Sequence, residues 1–285
     1  MKNQQAILLM HCPDQKGLVA VVTRYLFELN ANVVDLDQHV DPGSEHFFMR
    51  VAWELEGFNL DETQIKVDFQ EKIAHKYQMK FQLHITKQSL RMAIFVSKMS
   101  HCLYDLLQRY MSKEWNVVIP MIISNHQNLR PIADRFGIPF LHFPITAENK
   151  IEQEERILAA LDREQIDFLV LARYMQILSP KMIDRYPHKI INIHHSFLPA
   201  FIGARPYHQA FDRGVKIIGA TSHYVTEDLD AGPIIAQDVE HITHKDDISD
   251  LIRKGKDLEK LVLSNAVWNH IQHNILPYKN RTIIF

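Results

Sequence analysis

Met92-Ala93-Ile94-Phe95-Val96, then a helical stretch from His101 to Met111, then Val117-Val118-Ile119-Pro120-Met121-Ile122-Ile123-Ser124, is the run that decides the fold. The two flanking segments are short and almost wholly apolar. Strands buried on both faces read this way, whereas strands with one wet face alternate. A crossover helix between two such strands predicts parallel pairing. Towards the C-terminus the alternation continues. Helix is expected over 129–136, strand over 139–143, helix over 149–164, strand over 168–172 and strand over 190–193. That order predicts an open, mostly parallel α/β sheet. Strands are further expected over 219–225 and 232–239, a long helix over 247–272 and a short tail after Ile275.

On the N-terminal side the pattern changes. Ala6 to Met10 reads as a strand ending in the turn Pro13-Asp14-Gln15-Lys16-Gly17. A helix follows over 18–29. Strands over 32–40 and 46–55 are separated by Asp41-Pro42-Gly43-Ser44, a hairpin signal. A helix over 61–75 has Asp61 as its expected N-cap, and a last strand covers 79–86. The order is βαββαβ, the split-βαβ or ferredoxin-like pattern. The chain is thus expected to be an α/β protein of two domains, 1–86 and 92–285, with a linker at 87–91.

In an extended segment residues i and i+2 share a face. Asn192-Ile193-His194 at a strand end would therefore bring an amide donor beside an imidazole, with His195 on the other side. Such a pair suits a developing oxyanion. Asp230, inside Leu229-Asp230-Ala231-Gly232-Pro233, supplies a carboxylate that orients the His or accepts a proton from water. On spacing alone, a polar strand end, an ordinary His and a turn Asp fit equally well. Position weighs for a site: ligands in open α/β sheets sit beyond the carboxyl ends of the strands. Arg173-Tyr174-Met175 follows the strand ending at Ala172 and occupies such a place too.

Composition narrows the classes. Across 285 residues, 32 basic and 34 acidic side chains give a net charge of −2, so no general pull toward nucleic acid or anionic membrane follows. No stretch approaches the roughly 18 apolar residues of a membrane span. The polar start does not read as a signal peptide. The two cysteines, Cys12 and Cys102, form neither a disulfide framework nor a CxxC motif. A cytoplasmic protein with free thiols is expected. Only 9 residues are Gly, and neither a GxGxxG nor a GxxxxGK[ST] loop occurs, which speaks against NAD-type and P-loop chemistry. His is abundant at 17 residues, but HxxxH and HExxH spacings are absent near the motifs, and a zinc site needs three or four converging ligands. No metal or other cofactor is expected.

Three segments carry a resemblance. Asn192-Ile193-His194-His195-Ser196-Phe197-Leu198-Pro199, Leu229-Asp230-Ala231-Gly232-Pro233-Ile234-Ile235-Ala236-Gln237 and Leu171-Ala172-Arg173-Tyr174-Met175-Gln176-Ile177-Leu178 resemble the motifs of the folate-dependent formyltransferase family. The match runs from about Met92 to the C-terminus. The N-terminal unit, opening Pro13-Asp14-Gln15-Lys16-Gly17-Leu18, resembles an ACT domain, a regulatory module that often binds amino acids. The combination resembles the branch of the family that hydrolyses 10-formyltetrahydrofolate to formate and tetrahydrofolate, with a link to purine synthesis. The resemblance implies Asn192, His194 and Asp230 as catalytic residues. It places Arg173, Tyr174, Met175, Ile177, His195 and His208 on the substrate side, with backbone groups around Arg173 to Ile177 facing the pterin. His208 reads equally as a solvated residue at a helix start. Whether Asp230 or His194 moves the proton stays open.

Transfer to a small amine is the competing reaction, and a non-catalytic folate or amino-acid sensor is a third reading. Three departures favour water. Ser97-Lys98-Met99-Ser100-His101 has no Gly where related transferases hold an acceptor phosphate. No further C-terminal domain of the kind found in enzymes acting on initiator tRNA has room here. His195 stands where the transferases commonly carry Pro. At the N-terminal unit, Asp14 and Gly17 would receive an effector, glycine or methionine by metabolic logic, unless the unit only dimerises. Its sheet edges want partners, so a homo-oligomer, dimer or tetramer, is expected.

Overall fold

The computed structural model describes residues 4–86, 89–200 and 206–285. It divides into two compact units. The first takes the described residues up to Ser89 with His273–Leu276 and Ile283–Phe285, and the second takes Leu90–Gln272 with Pro277–Thr282. The last residues of the chain are thus shared between the units, where the sequence assigned all of them to the second. Lys87 and Gln88 of the expected linker lie outside the described residues. Leu90 and Arg91, the end of that linker, already belong to a strand.

The first unit is built from β1 (Gln5–Pro13), α1 (Leu18–Glu28), β2 (Asn32–Asp41), β3 (His46–Glu54), α2 (Glu62–Phe69), a π-helical turn (Gln70–Ala74), α3 (His75–Tyr77) and β4 (Lys80–Ile85). Its sheet runs β2-β3-β1-β4, every pair antiparallel. β1 and β3 are central and nearly continuously buried. Leu8, Met10, Met49 and Trp53 meet Val22 and Leu26 of α1 and Phe69 of α2 in one core. The N-cap expected at Asp61 is present: its side chain accepts from Gln64 N–H, and the Gln64 side chain accepts from Asp61 N–H, a capping box. Gly17 precedes α1 at φ 92, a conformation only glycine adopts without strain.

The second unit contains β5 (Leu90–Val96), α4 (His101–Met111), β6 (Val117–Ser124), α5 (Arg130–Arg135), β7 (Phe140–His142), α6 (Lys150–Arg163), β8 (Phe168–Leu171), α7 (Pro180–Arg185), β9 (Ile190–His194), α8 (Pro206–Arg213), β10 (Ile217–Tyr224), β11 (Ile234–His241) and α9 (Ile248–Ile271). Its seven strands run β11-β10-β9-β8-β5-β6-β7. β5 to β9 are mutually parallel, and β10 and β11 continue the sheet antiparallel. β5 and β8 are buried almost throughout, as their unbroken apolar sequences require. The strand order reverses between β5 and β8, so their carboxyl ends open a crevice there. α7 was not anticipated, and α8 begins at the helix start considered for His208; both are short, and α7 starts at Ser179-Pro180, where the Ser side chain caps Met182 N–H. The expected tail forms a two-stranded ribbon, β12 (Ile275–Tyr278) and β13 (Arg281–Ile284). Among the described residues no helix is long and apolar enough to cross a membrane.

Candidate active site

β9 ends at His194, and its last residues deliver both expected polar groups. Asn192 and His194 line one cavity of about 290 Å³ in the second unit. Antiparallel pairing sets His223 of β10 directly opposite Asn192. Partners across such a ladder share a face, and Nδ2 of Asn192 lies 3.2 Å from Nε2 of His223. Nδ1 of His223 lies 2.9 Å from the Tyr224 carbonyl. A carbonyl only accepts, so that nitrogen carries the proton.

The loop from β10 to β11 brings in the carboxylate. Asp230 sits at φ 54, in the left-handed region. The chain then passes so close to the end of β10 that a Cβ at Gly232 would fall 1.8 Å from the Tyr224 oxygen. Only Gly fits. Asp230 Oδ2 lies 3.2 Å from His194 Nδ1, and its Oδ1 lies 3.6 Å from His223 Nε2. These contacts, that with His194 first and His223 second, hold the Asp230 carboxyl well below the usual carboxylate range against a burial that would raise it. His194 is buried, and its Nε2 has no hydrogen-bond partner among the described residues. With Nδ1 turned to Asp230, Nε2 is the nitrogen left for a ligand.

The segment after β8 forms the opposite wall. Arg173 turns the chain at φ 64. Met175 N–H then donates to Ser97 Oγ at 3.0 Å, and that hydroxyl donates to Asn125 Oδ1 at 2.7 Å. Arg173, Tyr174, Met175 and Ile177 all line the cavity, as expected. Tyr174 is buried, its ring set edge-on to Phe95 at 5.3 Å. Met175 and Ile177 are 59% and 60% exposed. Exposed apolar side chains at a cavity rim suit a flat, partly apolar ligand.

His195 was expected to point away from Asn192 and His194 by alternation, yet it lines the same cavity. β9 has ended, and the period of two ends with it. Burial first, then the charge of Arg173 and the neighbouring His194, push its pKa down to about 4, so the ring is neutral at pH 7. His208 is the exception among the substrate-side candidates: it lies on α8 and is not part of the cavity lining. Its neighbour Tyr207 takes the inward position, with its hydroxyl donating to Glu259 Oε1 at 2.7 Å; one residue along a helix is a turn of about 100°. The first-unit candidates Asp14 and Gly17 are exposed in the turn between β1 and α1, where Asp14 N–H donates to the Glu45 carbonyl at 2.8 Å.

Two features of the candidate site escaped the sequence. His223 falls inside the strand expected over 219–225, and only the β9–β10 register brings it to Asn192. Glu259, inside the α9 pattern, is 1% exposed and gathers His101, Arg173 and Tyr207. Among the described residues, the one group of donors close enough to share a metal is His101, Cys102 and Glu259. Burial and the nearby Glu259 hold the Cys102 thiol well above its usual range, and Glu259 is already engaged by Tyr207 and Arg173. Both features oppose a cation there.

The formyl transferase family matches residues 90–267. A formyltetrahydrofolate deformylase from Synechocystis sp. is 50% identical over 285 residues, covering 100% of both chains. The crystal structure of a formyltetrahydrofolate deformylase from Pseudomonas syringae pv. tomato superposes with a TM-score of 0.95 at 41% identity, covering 100% of this chain and 95% of that one. A glycinamide ribonucleotide transformylase from Symbiobacterium toebii shares the fold at a TM-score of 0.66 and 26% identity, covering 72% of this chain and 98% of that one.

Proposed function

The chain belongs to the formyltetrahydrofolate deformylases within the formyl transferase family, and from that premise we propose how its own residues hydrolyse 10-formyltetrahydrofolate to formate and tetrahydrofolate. The observation that carries the assignment is His194, with Nδ1 on Asp230 and Nε2 unpartnered at the wall of the cavity. The pterin lies against Met175, Ile177 and Leu178, and the formyl group reaches Asn192 and His194.

Asp230 faces an imidazole with each oxygen and has low proton affinity. That makes it a poor base and a good orienting group. His194 is therefore the proton carrier. Its Nε2 takes a proton from water as the water oxygen adds to the formyl carbon. The carbonyl oxygen becomes an oxyanion, held by the Asn192 amide, whose other N–H is directed at His223. The intermediate collapses with cleavage of the C–N10 bond. His194 returns its proton to N10, and formic acid leaves as formate after losing its own proton. No metal takes part in this scheme.

The first unit is assigned a regulatory and assembly role as an ACT-like module. The exposed turn from Asp14 to Gly17 would receive an amino acid such as glycine or methionine. Edge strand β2 presents Val33, Val34 and Leu36 at 37%, 45% and 37% exposure. An exposed apolar edge is a pairing surface, which supports a homo-oligomer. A near-neutral net charge fits a cytoplasmic enzyme with neither nucleic acid nor membrane as partner.

Incubating the purified protein with 10-formyltetrahydrofolate and no acceptor tests the reading. Formate and tetrahydrofolate should appear in equal amounts. Tight folate binding with no formate released would overturn it and point to an amine acceptor or a sensor.

A further inference from the structure

In an open α/β sheet the usual ligand seat is the crevice where the strand order reverses. Here that is the boundary between β5 and β8, faced by His101 at the start of α4 and Arg173 just past β8. The crevice is filled. Glu259 of α9 stands in it at 1% exposure, its Oε2 2.7 Å from His101 Nε2 and 3.5 Å from Arg173 Nε. Its other oxygen accepts from the Tyr207 hydroxyl at 2.7 Å. The four side chains come from four separate segments. A buried ionic cluster of this kind is a weak stabiliser, because the desolvation of its charges offsets their attraction. Its retention at the ligand seat calls for another account.

The cluster abuts the reaction centre. Arg173 lines the same cavity as His194. The His195 ring lies 5.1 Å from that of His194 and 6.3 Å from that of Tyr207, so His195 and Tyr207 continue the wall from the catalytic His to Glu259. α9 is shaped to admit the plug: a Cβ at Gly255 would lie 2.1 Å from the Tyr207 hydroxyl oxygen.

We infer that Glu259, His101 and Tyr207 are specificity-determining residues that fill the approach an amine would take to the formyl carbon, leaving water as the acceptor. The inference rests on the hydrolytic reading above. An amine admitted there would attack the formyl carbon through its nitrogen. The C–N10 bond would break, N10 would take the proton the amine gives up, and a formamide would leave in place of formate.

The test supplies wild-type protein and two variants, Tyr207→Ala and Gly255→Ala, with 10-formyltetrahydrofolate and increasing glycinamide, and measures formate and N-formylglycinamide together. Wild type should yield formate alone. In both variants the share of formyl groups leaving as N-formylglycinamide should rise at least about tenfold and grow with amine concentration. Gly255→Ala removes no cluster residue but forces the Tyr207 ring out of its seat, and alanine is the better helix former in α9, so it opens the same approach by a second route if Tyr207→Ala does not fold. Tyr207→Phe keeps the ring and should stay specific for water. Folded, hydrolytically active variants with a wild-type product ratio would overturn the inference while leaving the hydrolytic reading intact. A wild type that releases no formate would instead sink that reading itself.

Discussion

Oδ2 of Asp230 lies 3.2 Å from Nδ1 of His194, which turns the other ring nitrogen of His194 to the cavity. One residue hangs from a loop in the left-handed region and the other ends a parallel strand. Their meeting fixes the tautomer of the His and with it the direction in which a proton travels.

Replacing Asp230 by Asn should therefore leave the fold intact and remove nearly all turnover. Loss of the orienting carboxylate in a comparable dyad lowers kcat on the order of 10⁴-fold. Formate release and the melting transition, measured side by side, check this; turnover near wild type would remove the mechanism.

In the proposed mechanism Asn192 acts on the oxyanion alone. Asn192→Ala should lower kcat by about 10²–10³-fold with KM little changed, because the formyl oxygen gains its charge only as water adds. A rise in KM with kcat preserved would show that Asn192 serves binding instead.

His195 is held at about pKa 4 against an ordinary 6.5. The neutral ring is favoured in the folded state, so the unfolded chain binds more protons between these values. Its contribution to stability is complete above about pH 6.5 and is lost as the pH falls to about 4. His195→Asn should show a shallower decline in melting temperature over that window than wild type. Parallel curves for the two proteins would contradict the assignment.

Gly232→Ala places a methyl group where the Tyr224 carbonyl oxygen stands. The Asp230 loop must shift, so activity should fall sharply, with a destabilisation of about 1–3 kcal/mol typical of overpacking. Chemical denaturation and formate release report the two effects separately.

Assembly through β2 predicts that Val34→Lys, which charges the exposed edge, lowers the molar mass measured by light scattering. An unchanged mass in the variant, or a monomeric wild type, would exclude this edge as the interface. Calorimetry with glycine and with methionine tests the Asp14–Gly17 turn; absence of heat with both on active protein would count against an effector there.

Much of the fold was legible because local sequence carries it. The apolar runs at 92–96 and 168–172 became strands buried on both faces, the run at 117–124 became a strand that leaves Val118 exposed, and Asp61 and Asp247 cap the helices that follow them. α1 shows the limit: helical spacing over Val19, Val22, Leu26 and Leu29 picks out three residues that pack on the core, whereas Val19 is 37% exposed and Leu18 and Tyr25 are buried instead. α7 and α8 are too short for a periodic signal, and Pro at the start of α7 was the cue that went unused. In the site, the i, i+2 rule found Asn192 and His194, and the Leu229–Pro233 motif found Asp230. The same rule misjudged His195, because the strand stops one residue earlier.

By itself the sequence determined most of the order of elements and which amide, imidazole and carboxylate residues the candidate site has to offer, since strand burial, helix capping and turn preference act within a few residues. Tertiary structure alone decided which groups meet. The register of β9 against β10 set His223 opposite Asn192. The chain reversal at Asp230 and Gly232 chose the His194 nitrogen that faces the cavity. The packing of α9 against β9, β10 and β11 and against α4 and α8 put Glu259 against His101, Arg173 and Tyr207. Those placements depend on contacts between segments remote in the chain. The imidazole contacts that lower the proton affinity of Asp230 and the burial that lowers that of His195 exist only once those segments have closed around them.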